Sequence, residues 1–219
     1  MSDLYWLTDE QMARLEPYFP KSHGKPRVDD RRVLSGIIFV NRNGLRWRDA
    51  PAAYGPHKTL YNRWKRWSDA GVFVRMMKGL SGAQIELRTV MIDATYLKAH
   101  RTASCLRVKG GLGRLIGRTK GGMNTKLHAG RNGCWATEGM TPTGSGTPCR
   151  QRASLPCIPG RKSRNEPIRY DKRRYIRRNR IEIMFGRLKD WRRVATRYDR
   201  CPTVFLSPIA LAATVLFWL

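Results

Sequence analysis

Acidic residues are scarce in this chain. Among 219 residues there are 16 Asp or Glu against 43 Lys or Arg, a formal charge of +27. So large an excess excludes a protein built mainly to bind cations and calls for a polyanion, with nucleic acid the first candidate and an anionic membrane surface the second. Cysteine and histidine are also few. Cys105, Cys134, Cys149, Cys157 and Cys201 are odd in number and widely spaced, and His23, His57, His100 and His128 are scattered. That pattern fits neither a disulfide framework nor a CxxC zinc site, so free thiols in a reducing cytoplasm are expected. No basic segment followed by an apolar one marks the start as a leader. The longest apolar run, Val204 to Leu219, has 16 residues and contains Pro208. A membrane span needs about 20, so a buried helix is expected there instead. Apolar residues are not lacking: at 41% of the chain they suffice for a core and exclude general disorder.

The first 80 residues read as helical. Thr8 and Gln11 have capping-box spacing, and Met12, Leu15 and Phe19 recur at helical intervals. Asp29 caps a second helix carrying Val33, Ile37, Ile38 and Phe39 and ending near Gly44. Arg46 to Pro51 reads as a turn. A third helix, about Lys58 to Ala70, interleaves Tyr61, Trp64 and Trp67 with Lys58, Arg63, Lys65 and Arg66. Short helices separated by turns, the last one basic and aromatic, suggest a helix-turn-helix-like module. Trp64 and Trp67 are expected in the core, and Arg63, Lys65 and Arg66 on a face that meets phosphates.

The character changes at Leu87. Thr89 to Leu97 reads as a buried strand interrupted by Asp93. A carboxylate there is either partnered or metal-bound, or it caps the strand end. A Gly-, Lys- and Arg-rich stretch, Arg101 to Gly122, follows without P-loop spacing and reads as a basic loop or hairpin. Met123 to Ala129 fits a second strand. Residues 130 to 157, rich in Gly, Thr, Ser and Pro from Thr137 to Thr147, read as a linker. Arg161 to Arg200 holds 16 Lys or Arg against five acids. Within it a helix is expected from Tyr175 to Ala195. Ile181, Met184, Phe185, Leu188, Trp191 and Ala195 form its apolar stripe, and Tyr175, Arg178, Glu182 and Lys189 a second, polar one. Glu182 among these cations is either a metal or phosphate site or an i,i+4 partner of Arg178.

Tyr175-x-x-Arg178-x-x-x-Glu182-x6-Lys189 resembles the Tyr-Arg-Glu-Lys signature of bacterial insertion-sequence transposases with a DDE site, the insertion sequence five family in particular. Ile92-Asp93-Ala94-Thr95 is similar to that family's first catalytic strand. Trp6-Leu7-Thr8-Asp9 and Arg46-Trp47-Arg48-Asp49 are similar to its N-terminal DNA-binding module. The resemblance implies an α/β fold, with a helical DNA-binding module over residues 1–80 and an incomplete RNase-H-like catalytic domain over 87–219, disrupted at about 130–156. It implies DNA transposition by metal-dependent cleavage and strand transfer at transposon ends, with two Mg²⁺ (or Mn²⁺) ions held by Asp93, Glu182 and a second Asp. Tyr175, Arg178 and Lys189 would position the end DNA. The partners implied are double-stranded DNA with inverted repeats and further copies of the chain, in the bacterial nucleoid and with no membrane.

The family's second Asp, in a Gly-Asp-Arg-Gly-Tyr-Asp context, is missing. Between Asp93 and Glu182 the acids are Glu138, Glu166 and Asp171, none in that setting. Codons for Trp135 to Thr141, read two bases later, permit Gly-Asp-Arg-Gly-Tyr-Asp, and Pro142 to Pro148 then permit Ala-Asp-Trp-Phe-Arg-Asp. The segment therefore reads as family coding sequence in a shifted frame after an internal deletion, restored near Cys157 to Gly160, which leaves catalysis impaired. The alternative function is a non-catalytic DNA-binding remnant that competes for transposon ends.

Overall fold

The computed structural model describes residues 3–20, 29–82, 92–104, 115–130, 135–138, 172–176 and 179–219. The chain opens with helix α1 (Asp9–Leu15), and the expected capping box is present. Thr8 Oγ1 accepts from the Gln11 amide, and Gln11 Oε1 accepts from the Thr8 amide. Helix α2 (Asp30–Asn43) starts at Asp29, whose carboxylate accepts from the Arg31 and Arg32 amides. It ends at Gly44, in the left-handed region at φ 70°. A Cβ at Gly44 would also lie 2.7 Å from Arg192 Cβ, so both backbone and space call for glycine. Helix α3 (His57–Asp69) and helix α4 (Val72–Gly82) complete the N-terminal helical unit.

These helices carry apolar faces that close on one another. Trp64 and Trp67 are buried in the core as expected, with Phe73 against both rings. Tyr54 enters beside Gly36, and its hydroxyl both donates to the Tyr5 carbonyl and accepts from the Tyr5 amide, each at 2.8 Å. The missing wall is supplied from far along the chain. Helix α9 (Pro202–Phe217), the apolar run expected to be a buried helix, packs most extensively against α4 and also touches α2 and α3. Ile209, Leu211 and Ala213 belong to the same cluster as Leu15, Ile37 and Met76. The core therefore runs across the boundary expected between residues 80 and 87.

The second region is a small sheet. Strand β1 (Ile92–Ala99) pairs antiparallel with β3 (Gly122–Gly130), Asp93 opposite Ala129 and Thr95 opposite Leu127. The short helix α5 (Arg101–Ser104) follows β1. Strand β2 (Gly117–Thr119) forms a hairpin with β3, and β4 (Trp135–Glu138) pairs with β3 beyond it. Residues 135–138 are thus a strand, where a linker is expected from composition. Register with β3 overrides the weak local signal. Strand β1 is less buried than its apolar run suggests: Leu97 is in the core, but Tyr96 is 56% exposed, as in a sheet covered on one face.

The helix expected from Tyr175 to Ala195 is broken after Lys189: α7 (Asn179–Lys189) ends there and α8 (Arg192–Ala195) follows, while α6 (Lys172–Ile176) is separated from α7 by residues 177 and 178, which lie outside the described residues. The apolar stripe survives the break, with Ile181, Phe185, Leu188 and Trp191 all buried. A two-residue strand, β5 (Thr196–Arg197), then joins β1 in parallel through Lys98 and Ala99.

Candidate catalytic face and nucleic-acid surface

Two elements carry the carboxylates singled out in the sequence. Asp93 lies on β1 and Glu182 on α7. A hydrogen bond joins these elements: Lys189 Nζ donates to Thr95 Oγ1 at 2.7 Å, across 94 positions of sequence. Thr95 is two residues beyond Asp93 on β1. Lys189 is seven residues beyond Glu182, two turns, so these two share one side of α7 about 10 Å apart along its axis. Glu182 and Lys189 are both exposed, whereas Ile181, Phe185 and Leu188 on the other side of α7 are buried. The side chains of Asp93 and Tyr175, and the whole of Arg178, lie outside the described residues.

Of the three N-terminal cations, one is turned inward. Arg63 is buried, its guanidinium 3.2 Å from Asp30 Oδ1 and 5.4 Å over the Trp67 ring. The expectation that Arg63 meets phosphates is corrected, because a buried, paired guanidinium has little left to offer an anion. Lys65 and Arg66 are exposed. Lys65 pairs with Asp69 one turn on, which raises its pKa, and Arg66 bonds the Asn62 carbonyl at 3.3 Å.

Two more arginines are buried where sequence reading gives no warning. Arg193 donates to the Leu45 carbonyl at 2.8 Å and sits 5.1 Å over Trp47, and burial lowers its pKa. Arg197, fully buried, bonds Thr125 Oγ1 and the carbonyls of Asp199 and Arg200, with its guanidinium 4.9 Å over Phe205. Beside them burial pushes the Asp199 carboxyl up, against the pull of Arg193 and Arg197. A lone acid inside the basic run Arg192 to Arg200 is the one signal that could have marked this cluster.

A groove of about 460 Å³ opens at the start of α3, lined by Arg46, Trp47, Arg48, Lys58 and Tyr61, with His57 and Asn62 completing the wall. Arg46 bonds Asp49 at 2.6 Å, which lowers the Asp49 pKa, and Arg48 lies 3.8 Å from the same carboxylate. Two guanidinium groups thus share one acid.

Residues 7–77 match the family model described as a transposase of the IS4/5 family (DUF4096), and residues 147–219 match the transposase DDE domain. The chain is 34% identical over 109 residues to the uncharacterized protein y4sN of Sinorhizobium fredii, covering 48% of this chain and 86% of that one. It is 33% identical over 107 residues to an uncharacterized 16.2 kDa protein of insertion element IS402 from Burkholderia cepacia, covering 42% of this chain and 73% of that one. The chain belongs to the insertion-sequence transposases. No solved structure matches this transposase. It is mixed α/β with a DDE domain at its C-terminal side, and no helix among its described residues is long and apolar enough to cross a membrane.

A DDE domain implies a divalent metal ion. Carboxylates on β1 and α7 are the right donor type for a hard cation. Among the described residues, however, no group of three His, Cys, Asp or Glu side chains converges. Of Asp93 and Glu182, only the Glu182 side chain lies among the described residues.

Proposed function

We propose that this transposase recognises the inverted repeats at the ends of its element and is impaired in the metal-dependent cleavage and strand transfer of an intact DDE site. One observation carries the reading. The Lys189–Thr95 bond holds together the two carboxylate-bearing elements, and between them the sequence offers as further acids Glu138, Glu166 and Asp171, none in the family's Gly-Asp-Arg-Gly-Tyr-Asp setting. In this reading residues 1–80 form the helical DNA-binding module, helix-turn-helix-like, with Lys65 and Arg66 on DNA phosphates. Residues 87–219 form the incomplete RNase-H-like domain, in which Asp93 and Glu182 are the surviving ligands for Mg²⁺ or Mn²⁺. Tyr175, Arg178 and Lys189 position the end DNA. The shifted frame over about 130–156 accounts for the lost second Asp, and residues 130–146 of that segment fall outside both family matches, while 147–156 lie within the DDE match. Binding without cleavage makes the chain a competitor of intact transposase at the same ends, with the pairing of copies left to the intact partner.

The test has two arms. The nucleotide sequence of codons 129 to 158 is translated in all three frames, and a Gly-Asp-Arg-Gly-Tyr-Asp reading is expected outside the coding frame. The purified chain is then offered end-containing duplex with Mg²⁺ or Mn²⁺. Retention of the duplex without nicking is expected. Restoring the frame together with the deleted segment should restore nicking, and Asp93→Asn or Glu182→Gln should abolish it again. Metal-dependent nicking by the chain as it stands would overturn the impairment, and equal affinity for unrelated duplex would overturn end recognition.

A further inference from the structure

The groove at the start of α3 is unlike a surface built only for duplex phosphates. A duplex backbone is met by cations on an open face, since its phosphates lie along the outside of a rod about 20 Å wide. Here the cations ring a concavity whose wall holds two aromatic rings. Most other large rings of the helical unit are spent on packing: Trp64, Trp67, Tyr54 and Phe73 are buried, while Trp6, 43% exposed, lies against Tyr54 and away from this groove. Tyr61 is 45% exposed, and it meets Trp47 edge-on, at 5.9 Å between ring centres and 64° between planes. Trp47 in turn is fixed from behind by Arg193 at 5.1 Å and by Trp64 at 5.8 Å. The result is a rigid aromatic ledge with one ring open to solvent.

Charge surrounds the ledge. Asp49 is shared between Arg46 and Arg48, so the trio keeps a net positive charge, and the exposed Lys58 adds another. Lys58 and His57 also sit in the first turn of a 13-residue helix, the positive end of its dipole. A volume of about 460 Å³ falls within the range of small-ligand sites and has room for a single base with its sugar. Aromatic stacking beside phosphate-binding cations is the chemistry by which unpaired nucleotides are held without regard to sequence.

We propose that this groove binds an unpaired nucleotide of single-stranded DNA, with the base stacked on Tyr61 against the Trp47 ledge and the flanking phosphates on Arg48, Lys58 and Arg46. The proposal rests on the DNA-binding reading above. It adds a site that takes DNA only where the duplex is open, as at a frayed or distorted transposon end.

The test measures binding of the full chain to fluorescent oligothymidylate and to a fully paired duplex of the same length, by anisotropy over a salt series. Tyr61→Ala should weaken oligothymidylate binding roughly tenfold and leave the duplex within about twofold, as expected for loss of one stacked base. Tyr61→Phe should restore it. Arg48→Gln with Lys58→Gln, both exposed, should lower the salt slope on oligothymidylate by about one to two. These two substitutions keep the test alive if Tyr61→Ala fails to fold. Equal losses on both probes for Tyr61→Ala, or no loss on oligothymidylate, would overturn the groove. Tighter binding of oligouridylate than oligothymidylate would overturn DNA as the ligand. Tyr61-dependent binding of oligothymidylate by a chain that shows no preference for inverted repeats would leave the groove standing and remove end recognition.

Discussion

The helical unit and the sheet are held together by different means. In the helical unit, local signals and distant packing agree. Thr8 and Asp29 cap the helices that their positions announce, Gly44 ends the second, and Leu15, Ile37, Trp64 and Phe73 close a single core. In the sheet, long-range devices stand in for a broad core. β5 contributes two residues of pairing, and one buried guanidinium ties β3, the loop after β5 and α9 together. Redundancy in one region and reliance on single residues in the other should give different responses to mutation.

The sharpest break of this contrast is Arg197→Ala. It removes three hydrogen bonds and the ring contact with Phe205 from a fully buried site, so a loss of about 3–5 kcal/mol is expected in urea unfolding, with the sheet losing amide-exchange protection first. Trp64→Ala strikes the helical core with a similar expected loss of about 3–5 kcal/mol, but should expose the helices and the sheet together because α9 belongs to both. A cooperative single transition for Trp64→Ala and a split one for Arg197→Ala would confirm the contrast. Gly36→Ala should cost about 1–3 kcal/mol, since the added Cβ meets Tyr54 Cβ at 2.7 Å. Thr8→Ala loses one cap and should cost about 1 kcal/mol, visible as a lower urea midpoint at unchanged slope.

The smallest effect is one of pH. Burial raises the folded-state pKa of Asp199 above the ordinary aspartate value. The folded chain therefore holds this proton more tightly than the unfolded chain does. Its contribution to stability grows as pH falls through the folded pKa, opposite to an ion-paired carboxylate. Relative to Asp199→Asn, the parent chain should gain stability between pH 7 and pH 4. A parallel pair of stability curves would show that Arg193 and Arg197 offset the burial in full.

What the sequence made legible follows the same division. Caps, the ends of α2 and α3 and the strand around Asp93 depend on neighbours a few residues away, and they were readable. The run Val204 to Leu219 was readable as a buried helix but not as the wall of the N-terminal unit, because a helix apolar all round names no partner. The helix over Tyr175 to Ala195 was drawn too long because Trp191 and Ala195 keep the phase of the stripe across the break after Lys189, with no Gly or Pro to mark it. Arg63 was placed on the surface because charge argues for exposure; only its contacts with Asp30 and Trp67 reverse that. At the candidate catalytic face, the stripe pairing Glu182 with Lys189 was visible, while the role of Thr95 as the anchor for Lys189 depended on how α7 lies against β1.

The place of α9 has a genetic consequence. About 120 residues separate the end of α4 at Gly82 from the start of α9 at Pro202, so a ribosome translating at about 5–20 residues per second completes the first four helices several seconds before their missing wall exists. A shift of frame that persisted to the end of the message would delete α9 and leave Met76, Val72 and Ile37 without their cover, even though every codon before residue 83 was read correctly. An in-frame C-terminus thus matters to the structure of the opening helices, whatever it does for catalysis. Downstream stop codons should therefore erase DNA binding as completely as upstream ones.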